Sequence, residues 1–224
     1  MGQKMSLAVK VSIMLIVFYT VLIIWLFFPA GTVRFYDGWI YFGTFFLWTN
    51  ILTFYFLLKN PELIERRTQT EKEQPQQIIQ SINGLMFIAL LIIPGLDFRY
   101  HLTCVPFWLV LSSTILVSLG FLIVFFVFKQ NSFLASNIKV YESQTVITTG
   151  LYSIVRHPMY SGAYFIILFT PLALGSFLAL MPAIVIGILI VFRTLNEEKI
   201  LSRDLNGYKD YCEKVRYRYI PLIW

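Results

Sequence analysis

Five stretches of this chain carry no charged residue: 11–28, 39–58, 78–96, 106–128 and 160–192, of 18, 20, 19, 23 and 33 residues. The first four match the roughly 17 to 25 residues that take an α-helix across a bilayer. Within lipid only helices and closed barrels satisfy every backbone donor and acceptor. Of the 224 residues, 13% are charged and 58% hydrophobic, against about one-quarter charged in a typical soluble domain. The expectation is an all-α integral membrane protein that has lipid as the solvent for most of its length.

The first run is longer than the roughly 7 to 15 residue core of a signal peptide and lacks a convincing small-residue cleavage site, so it reads as a retained span. Met1, Gly2 and Ser6 fit the loose N-myristoylation pattern, but a multi-span chain gains nothing from an acyl anchor, and chance explains the match. The fifth run, drawn as one straight helix, would be about 50 Å long, well beyond a hydrocarbon core of about 30 Å. Pro171, Gly175, Ser176 and Pro182 cluster at its middle. The reading is a helical hairpin, residues 160–170 rising and 182–192 returning, each arm too short to cross fully. Four transmembrane helices plus this hairpin make six membrane segments.

Lysine and arginine are distributed unevenly. With both termini cytosolic, 16 of the 18 lie inside and only Arg34 and Arg99 outside, as the positive-inside rule requires. Residues 59–77 then form a cytosolic connector, with a short surface helix begun at Asn60 and Pro61. Residues 131–159 read as extended and partly buried, with Ile138, Val140, Val146 and Ile147 among polar side chains. The division is a scaffold over 1–128 and a catalytic, cofactor-binding region with a cytosolic tail over 129–224. Cys104 and Cys212 fall on opposite faces, so no disulfide joins them. The formal charge of +6 is dispersed around the spans rather than gathered on a soluble domain, which argues against nucleic acid as a partner.

Two histidines, His101 and His157, lie on opposite faces and exclude a multi-histidine metal site; no metal is expected. Nucleotide-binding glycine patterns and the Gly-x-Ser-x-Gly elbow are absent. What remains is a polar cluster at the cytosolic mouth of the hairpin: Thr148, Thr149, Gly150, Tyr152, Arg156, His157, Pro158, Tyr160 and Gly162. Pro158 fits the first turn of the rising arm, which puts Arg156 and His157 at a helix N-terminus, where free N–H groups suit a carboxylate. The faces of Tyr152 and Tyr160 suit a sulfonium. The plain alternative is that Arg156 and His157 anchor a span at the headgroups. A second cluster, Arg193, Glu197 and Glu198, closes the returning arm. Arg193 and Glu197 share one helical face, either as an ordinary i,i+4 pair or as a functional one beside His157. The tail residues Tyr208, Tyr211, Arg216, Tyr217, Arg218 and Trp224 read mainly as an interfacial belt.

The segment TVITTGLYSIVRHPMYSG (145–162), preceded by Gln144, resembles the isoprenylcysteine carboxyl methyltransferase family and its bacterial relatives. Arg193 with Glu197-Glu198, the spaced tyrosines and Ile220-Pro221 extend the likeness. NPELIERR (60–67) and GLDFRY (95–100) are similar to the bacterial branch in particular. The resemblance implies an S-adenosylmethionine-dependent methyltransferase in a bacterial inner membrane. It implies that Gln144, Thr145, Val146, Ile147, Tyr152, His157, Pro158, Met159, Tyr160 and Glu197 hold S-adenosylmethionine. It also implies that Arg193 meets the acceptor's carboxylate, and that His157, Arg193 and Glu197 form the catalytic set. The acceptor would be lipidic or prenylated, a small molecule or a protein. Eukaryotic members carry His where Gln144 stands. A phospholipid N-methyltransferase, an NADPH-dependent sterol or enone reductase and a transporter or scaffold are the rival readings. The RHPMY segment opposes the reductase, and the lack of mid-membrane ionisable groups in the five runs opposes transport.

The charge distribution generates a test of topology. Reporter fusions at Gly31 and Thr103 should report the outside and one at Asn131 the cytosol; a fusion at the C-terminus reporting the outside would contradict the arrangement.

Overall fold

The computed structural model describes residues 6–68, 74–134 and 144–224. Met1 and Gly2 of the acylation pattern, and Ile138 and Val140 of the extended stretch, lie outside the described residues. Among the described residues eight α-helices follow one another: α1 (Leu7–Ala30), α2 (Tyr36–Lys59), α3 (Pro61–Arg67), α4 (Gln74–Tyr100), α5 (Phe107–Gln130), α6 (Pro158–Ala173), α7 (Leu180–Asp204) and α8 (Tyr208–Lys214). A 3-10 turn, Gly150–Ser153, precedes α6. No strand occurs among the described residues. Residues 144–148 belong to no helix or strand, and Thr149 after them has extended backbone.

Among the described residues five helices are long and apolar enough to cross a membrane: α1, α2, α4, α5 and α7. Each runs a few residues past its uncharged run, because caps and polar side chains continue the helix into the headgroup region. Thus α4 starts at Gln74, with Pro75 in its first turn, and shortens the connector expected over 59–77. Phe28, Leu58, Ile115 and Met181 are 82, 82, 68 and 71% exposed. Side chains of that size facing outward all round a bundle mark a lipid-covered surface.

The hairpin exists with different proportions. Its turn falls at 174–179, and Pro171 and Pro182 sit inside the helices rather than between them. The arms are therefore longer than 160–170 and 182–192. The returning arm α7 has 25 residues, about 37 Å at 1.5 Å per residue, and can cross fully, contrary to the expectation. The rising arm α6 has 16, about 24 Å, and falls short of a core of about 30 Å. Pro182 is tolerated in the first turn of α7, where its missing N–H would have no intrahelical acceptor.

Two contacts fix the hairpin. At its turn, the buried carboxylate of Asp97 on α4 accepts hydrogen bonds from the Thr103 amide at 2.7 Å and from the hydroxyls of Thr103 and Ser176. Along its length, α6 lies against α5 with Gly120 and Gly162 face to face. A Cβ on Gly120 would come 2.7 Å from the Gly162 carbonyl oxygen, and one on Gly162 2.8 Å from that of Gly120. Small residues at such crossings let backbones approach and gain dispersion contact where lipid supplies no hydrophobic drive. Tyr41 of α2, fully buried, adds a hydroxyl bond to Thr170 of α6 at 3.0 Å.

Cys104 follows α4 beside the hairpin turn, and Cys212 sits on α8 near the other end of the bundle; both thiols are free. The α5–α6 contact predicts that Gly162→Val, which forces two backbones apart, lowers stability by about 1–3 kcal/mol. Thermal unfolding in detergent should show a lower Tm for the variant than for the wild type.

Candidate active site

The end of the bundle opposite the hairpin turn holds a cavity of about 330 Å³, at the lower end of the roughly 300–1,000 Å³ of small-molecule sites. Its floor is built where α6 begins. His157 is the N-cap of α6 and Pro158 its first residue, as the sequence implies. Pro158 is buried but does not line the cavity; it starts the helix that presents Met159 and Tyr160. Every other residue anticipated for the cofactor or the chemistry borders this space: Gln144, Thr145, Val146 and Ile147 from the coil, Tyr152 from the 3-10 turn, His157, Met159 and Tyr160 from α6, Arg193 and Glu197 from α7.

The polar side chains are held in two layers. In the first, the Tyr160 hydroxyl donates to Glu197 Oε2 at 2.8 Å and accepts from Arg193 Nε at 3.2 Å. This chain ties the two arms of the hairpin together across the cavity. In the second, Glu198 faces away from Glu197 and gathers three basic groups. Arg156 Nη2 and His157 Nε2 each lie 3.2 Å from Oε1, and Arg218 Nη2 lies 2.9 Å from Oε2. The Glu198 side chain is only 12% exposed, so the group is an internal clamp joining α6, α7 and the tail.

Tyr208 and Tyr211 are buried and Arg218 is paired with Glu198, which corrects their reading as an interfacial belt, while Arg216 and Trp224 are exposed. The backbone N–H of Arg156 donates to the Tyr217 carbonyl, and that of His157 to the Arg218 carbonyl, both at 2.9 Å. The Ser161 hydroxyl donates to the Tyr219 carbonyl at 2.7 Å. One of the amides expected to meet a ligand at the start of α6 is thus already satisfied from within the chain. Tyr211 donates to the Tyr152 carbonyl at 2.6 Å and, like Tyr208, lines the cavity. Burial pushes the phenols of Tyr152, Tyr208 and Tyr211 up from their ordinary value, so these rings stay neutral at physiological pH.

Gly150 is required by geometry. Its φ is +61°, and a Cβ there would come within 2.5 Å of the Gln130 side chain. Gln130 uses Oε1 to accept from the Leu151 amide at 3.0 Å, which pins the 3-10 turn to the end of α5 and so aims Tyr152 inward. Asn131 donates to the Tyr152 hydroxyl at 2.9 Å.

Sequence reasoning missed several lining residues: Arg67 from α3, Gln80 and Asn83 from α4, Asn131 and Phe133 after α5, and Leu201 and Leu205 from the end of α7 and just beyond. The cavity thus draws on both sides of the 128/129 boundary. A signal existed only for Arg67, inside NPELIERR. The others are polar or apolar residues at helix ends with no pattern of their own.

Comparison with known proteins bears on this geometry. Residues 107–206, from α5 to just past α7, match the phospholipid methyltransferase family model. No curated protein sequence matches the chain. Among solved structures it is similar to a eukaryotic intramembrane Ras methyltransferase, isoprenylcysteine carboxyl methyltransferase, with a TM-score of 0.56 and 17% identity over 92% of this chain and 74% of the other. The chain is an integral-membrane methyltransferase. Its second half carries the phospholipid methyltransferase pattern on an isoprenylcysteine carboxyl methyltransferase-like fold, and methyltransferases of this kind use S-adenosylmethionine. The family match favours methyl transfer over the reductase and transporter readings.

The Glu198 clamp yields a prediction. Removing one partner of a buried ion cluster leaves uncompensated charge and typically costs about 3–5 kcal/mol. Glu198→Ala should therefore lower the Tm in detergent more than Glu197→Ala does; equal melting temperatures would show that the clamp does not hold the tail.

Proposed function

We propose that the cavity binds S-adenosylmethionine and that the protein methylates the carboxylate of a lipidic, isoprenylcysteine-like acceptor. The observation that carries the reading is the composition of one small cavity: aromatic rings, a carboxylate, guanidinium groups and apolar walls, all converging at the start of α6. Asn83 Oδ1, Arg156 Nε and Tyr208 OH are buried at or beside this space without a partner. Orphaned polar atoms around a cavity fit a polar ligand there.

Val146, Ile147, Leu201 and Leu205 supply apolar walls for a flat heteroaromatic ring. Glu197 suits ribose hydroxyls. Tyr152, Tyr160 and Met159 present ring faces and a polarizable sulfur to a cationic centre. Arg156 lies where the amino-acid carboxylate of such a ligand needs a counter-charge. When bound, S-adenosylmethionine supplies an electrophilic methyl group on sulfur. The task left to the protein is to hold an anionic nucleophile in line and keep water out. Arg193, oriented by Tyr160 and thereby by Glu197, would hold the acceptor's carboxylate.

Phospholipid N-methylation is the second reading, favoured by the family match over residues 107–206. An amine acceptor has to lose a proton. The two bases that border the cavity are already engaged, His157 with Glu198 and Glu197 with the Tyr160 hydroxyl. An acceptor that arrives already ionised needs neither. The cavity would open to the cytosol, where the soluble cofactor is, with both termini on that side and the acceptor entering from a bacterial inner membrane.

Two variants separate the roles. His157→Ala should weaken S-adenosylmethionine binding measured by isothermal titration. Arg193→Ala should leave that affinity nearly unchanged and lower methyl transfer about ten- to a hundredfold, the equivalent of one charge-assisted contact. Unaltered cofactor binding in a folded His157→Ala protein would place the cofactor elsewhere.

A further inference from the structure

Asn83 of α4 borders the cavity, and its side-chain carbonyl oxygen Oδ1 is buried without a hydrogen-bond partner. The residue stands inside the uncharged run 78–96, about 13 Å from the helix start at Gln74, at 1.5 Å per residue. Its neighbours Ile82 and Leu85 are 40 and 61% exposed and face the lipid. Hydrocarbon offers no hydrogen bond to an amide at that depth, and leaving such a group unmet costs its full desolvation. Polar side chains that turn inward from a membrane span mark binding paths. Asn83 also lies outside the segment 107–206 that matches the family model, so nothing in that match accounts for it.

The cavity has two ends of different make. Toward the tail, Val146 and Leu201 pack on the cluster that holds Leu205 and Tyr208; these include the walls assigned above to the heteroaromatic ring. Toward the membrane, Met86 and Phe87, one turn beyond Asn83, pack on the same apolar cluster as Tyr160 and Ala163 of α6. Asn83 therefore stands on the membrane side of the cavity, near the level at which α6 presents Tyr160.

We infer that Asn83 is an acceptor-binding residue: its Oδ1 takes a hydrogen bond from an N–H on the head of the lipidic acceptor and so makes the enzyme prefer acceptors that carry this donor. The inference rests on the methyltransferase site proposed above and gives the N-terminal half a part in specificity. Displacement at a sulfonium methyl brings the nucleophile in from the face opposite the departing sulfur. With the cofactor's ring seated toward the tail, the acceptor comes from the membrane side, past α4. A carbonyl oxygen only accepts, so its partner is a donor rather than a carboxylate or phosphate oxygen. The amide N–H beside the carboxylate of an N-acylated prenylcysteine and the ammonium of an ethanolamine phospholipid share that chemistry.

The test uses the full-length protein in detergent, saturated with S-adenosylhomocysteine so that no turnover occurs. Two pairs of probes differ in the N–H donor: N-acetyl-S-farnesylcysteine against 3-(farnesylthio)propionic acid, and short-chain phosphatidylethanolamine against phosphatidylcholine. Each is titrated to wild type, Asn83→Leu and Asn83→Ala. The expected result is that wild type favours the N–H member of one pair by about tenfold, and that both variants bind the two members of that pair alike. A preference in the first pair assigns the seat to an amide, and one in the second to an ammonium. S-adenosylhomocysteine affinity should stay unchanged. The melting temperature of ligand-free Asn83→Leu should equal or exceed that of wild type, because an apolar group replaces an unpartnered polar one. Three outcomes overturn the inference: no N–H preference in wild type, the absence of binding included; a preference that persists in the folded variants; or a loss of S-adenosylhomocysteine affinity in them, which makes Asn83 part of the cofactor pocket. Failure of wild type to bind S-adenosylhomocysteine at all defeats instead the cofactor reading on which the inference rests.

Discussion

Three basic side chains from two distant segments converge on the single carboxylate of Glu198: Arg156 and His157 at the start of α6, and Arg218 in the tail. Most of the site depends on this cluster. The tail carbonyls of Tyr217 and Arg218 hold the backbone of Arg156 and His157, so the clamp and these two hydrogen bonds together fix the angle at which α6 leaves the cavity. That angle places Tyr160 between Arg193 and Glu197. A buried ion pair is weak support for stability in itself, because desolvation offsets the attraction, but it is demanding about geometry. Geometry is what methyl transfer requires of a protein.

The membrane bundle contributes by being stiff at one end and open at the other. Far from the cavity, Asp97 ties the hairpin turn to α4 and to the residues after it. Along the bundle, Gly120 and Gly162 let α5 and α6 touch. At the cavity end, α3, the coil over 144–148 and the tail are irregular or short, and they supply side chains that long helices would direct into lipid. Non-helical backbone at this position is tolerated where it lines a polar space rather than facing hydrocarbon.

Much of this was legible in the residues. Long uncharged runs leave a chain little choice in lipid, so the spans and the hairpin follow from length and hydropathy. The Pro158 position follows from the missing amide of proline, and the proximity of His157 to the Glu197-Glu198 pair from folding the hairpin shut. Helix ends were less legible: α7 continues to Asp204 because its polar last turns carry the clamp rather than stopping at the membrane. The tail was misread because tyrosine and arginine suit a headgroup belt and a buried network equally well. What separates them is whether partners exist, as Glu198 does for Arg218 and the Tyr152 carbonyl for Tyr211. Arg67 was invisible as a site residue because its approach depends on tertiary docking of α3, which no local pattern records.

The central claim is that this cavity holds a methyl donor. A ligand that binds only the folded protein raises its melting temperature in proportion to occupancy. Thermal unfolding of the purified protein with S-adenosylmethionine, S-adenosylhomocysteine or NADPH therefore tests the claim directly. The account predicts concentration-dependent stabilisation by the first two and none by NADPH. Stabilisation by NADPH alone, or by none of the three, would contradict it.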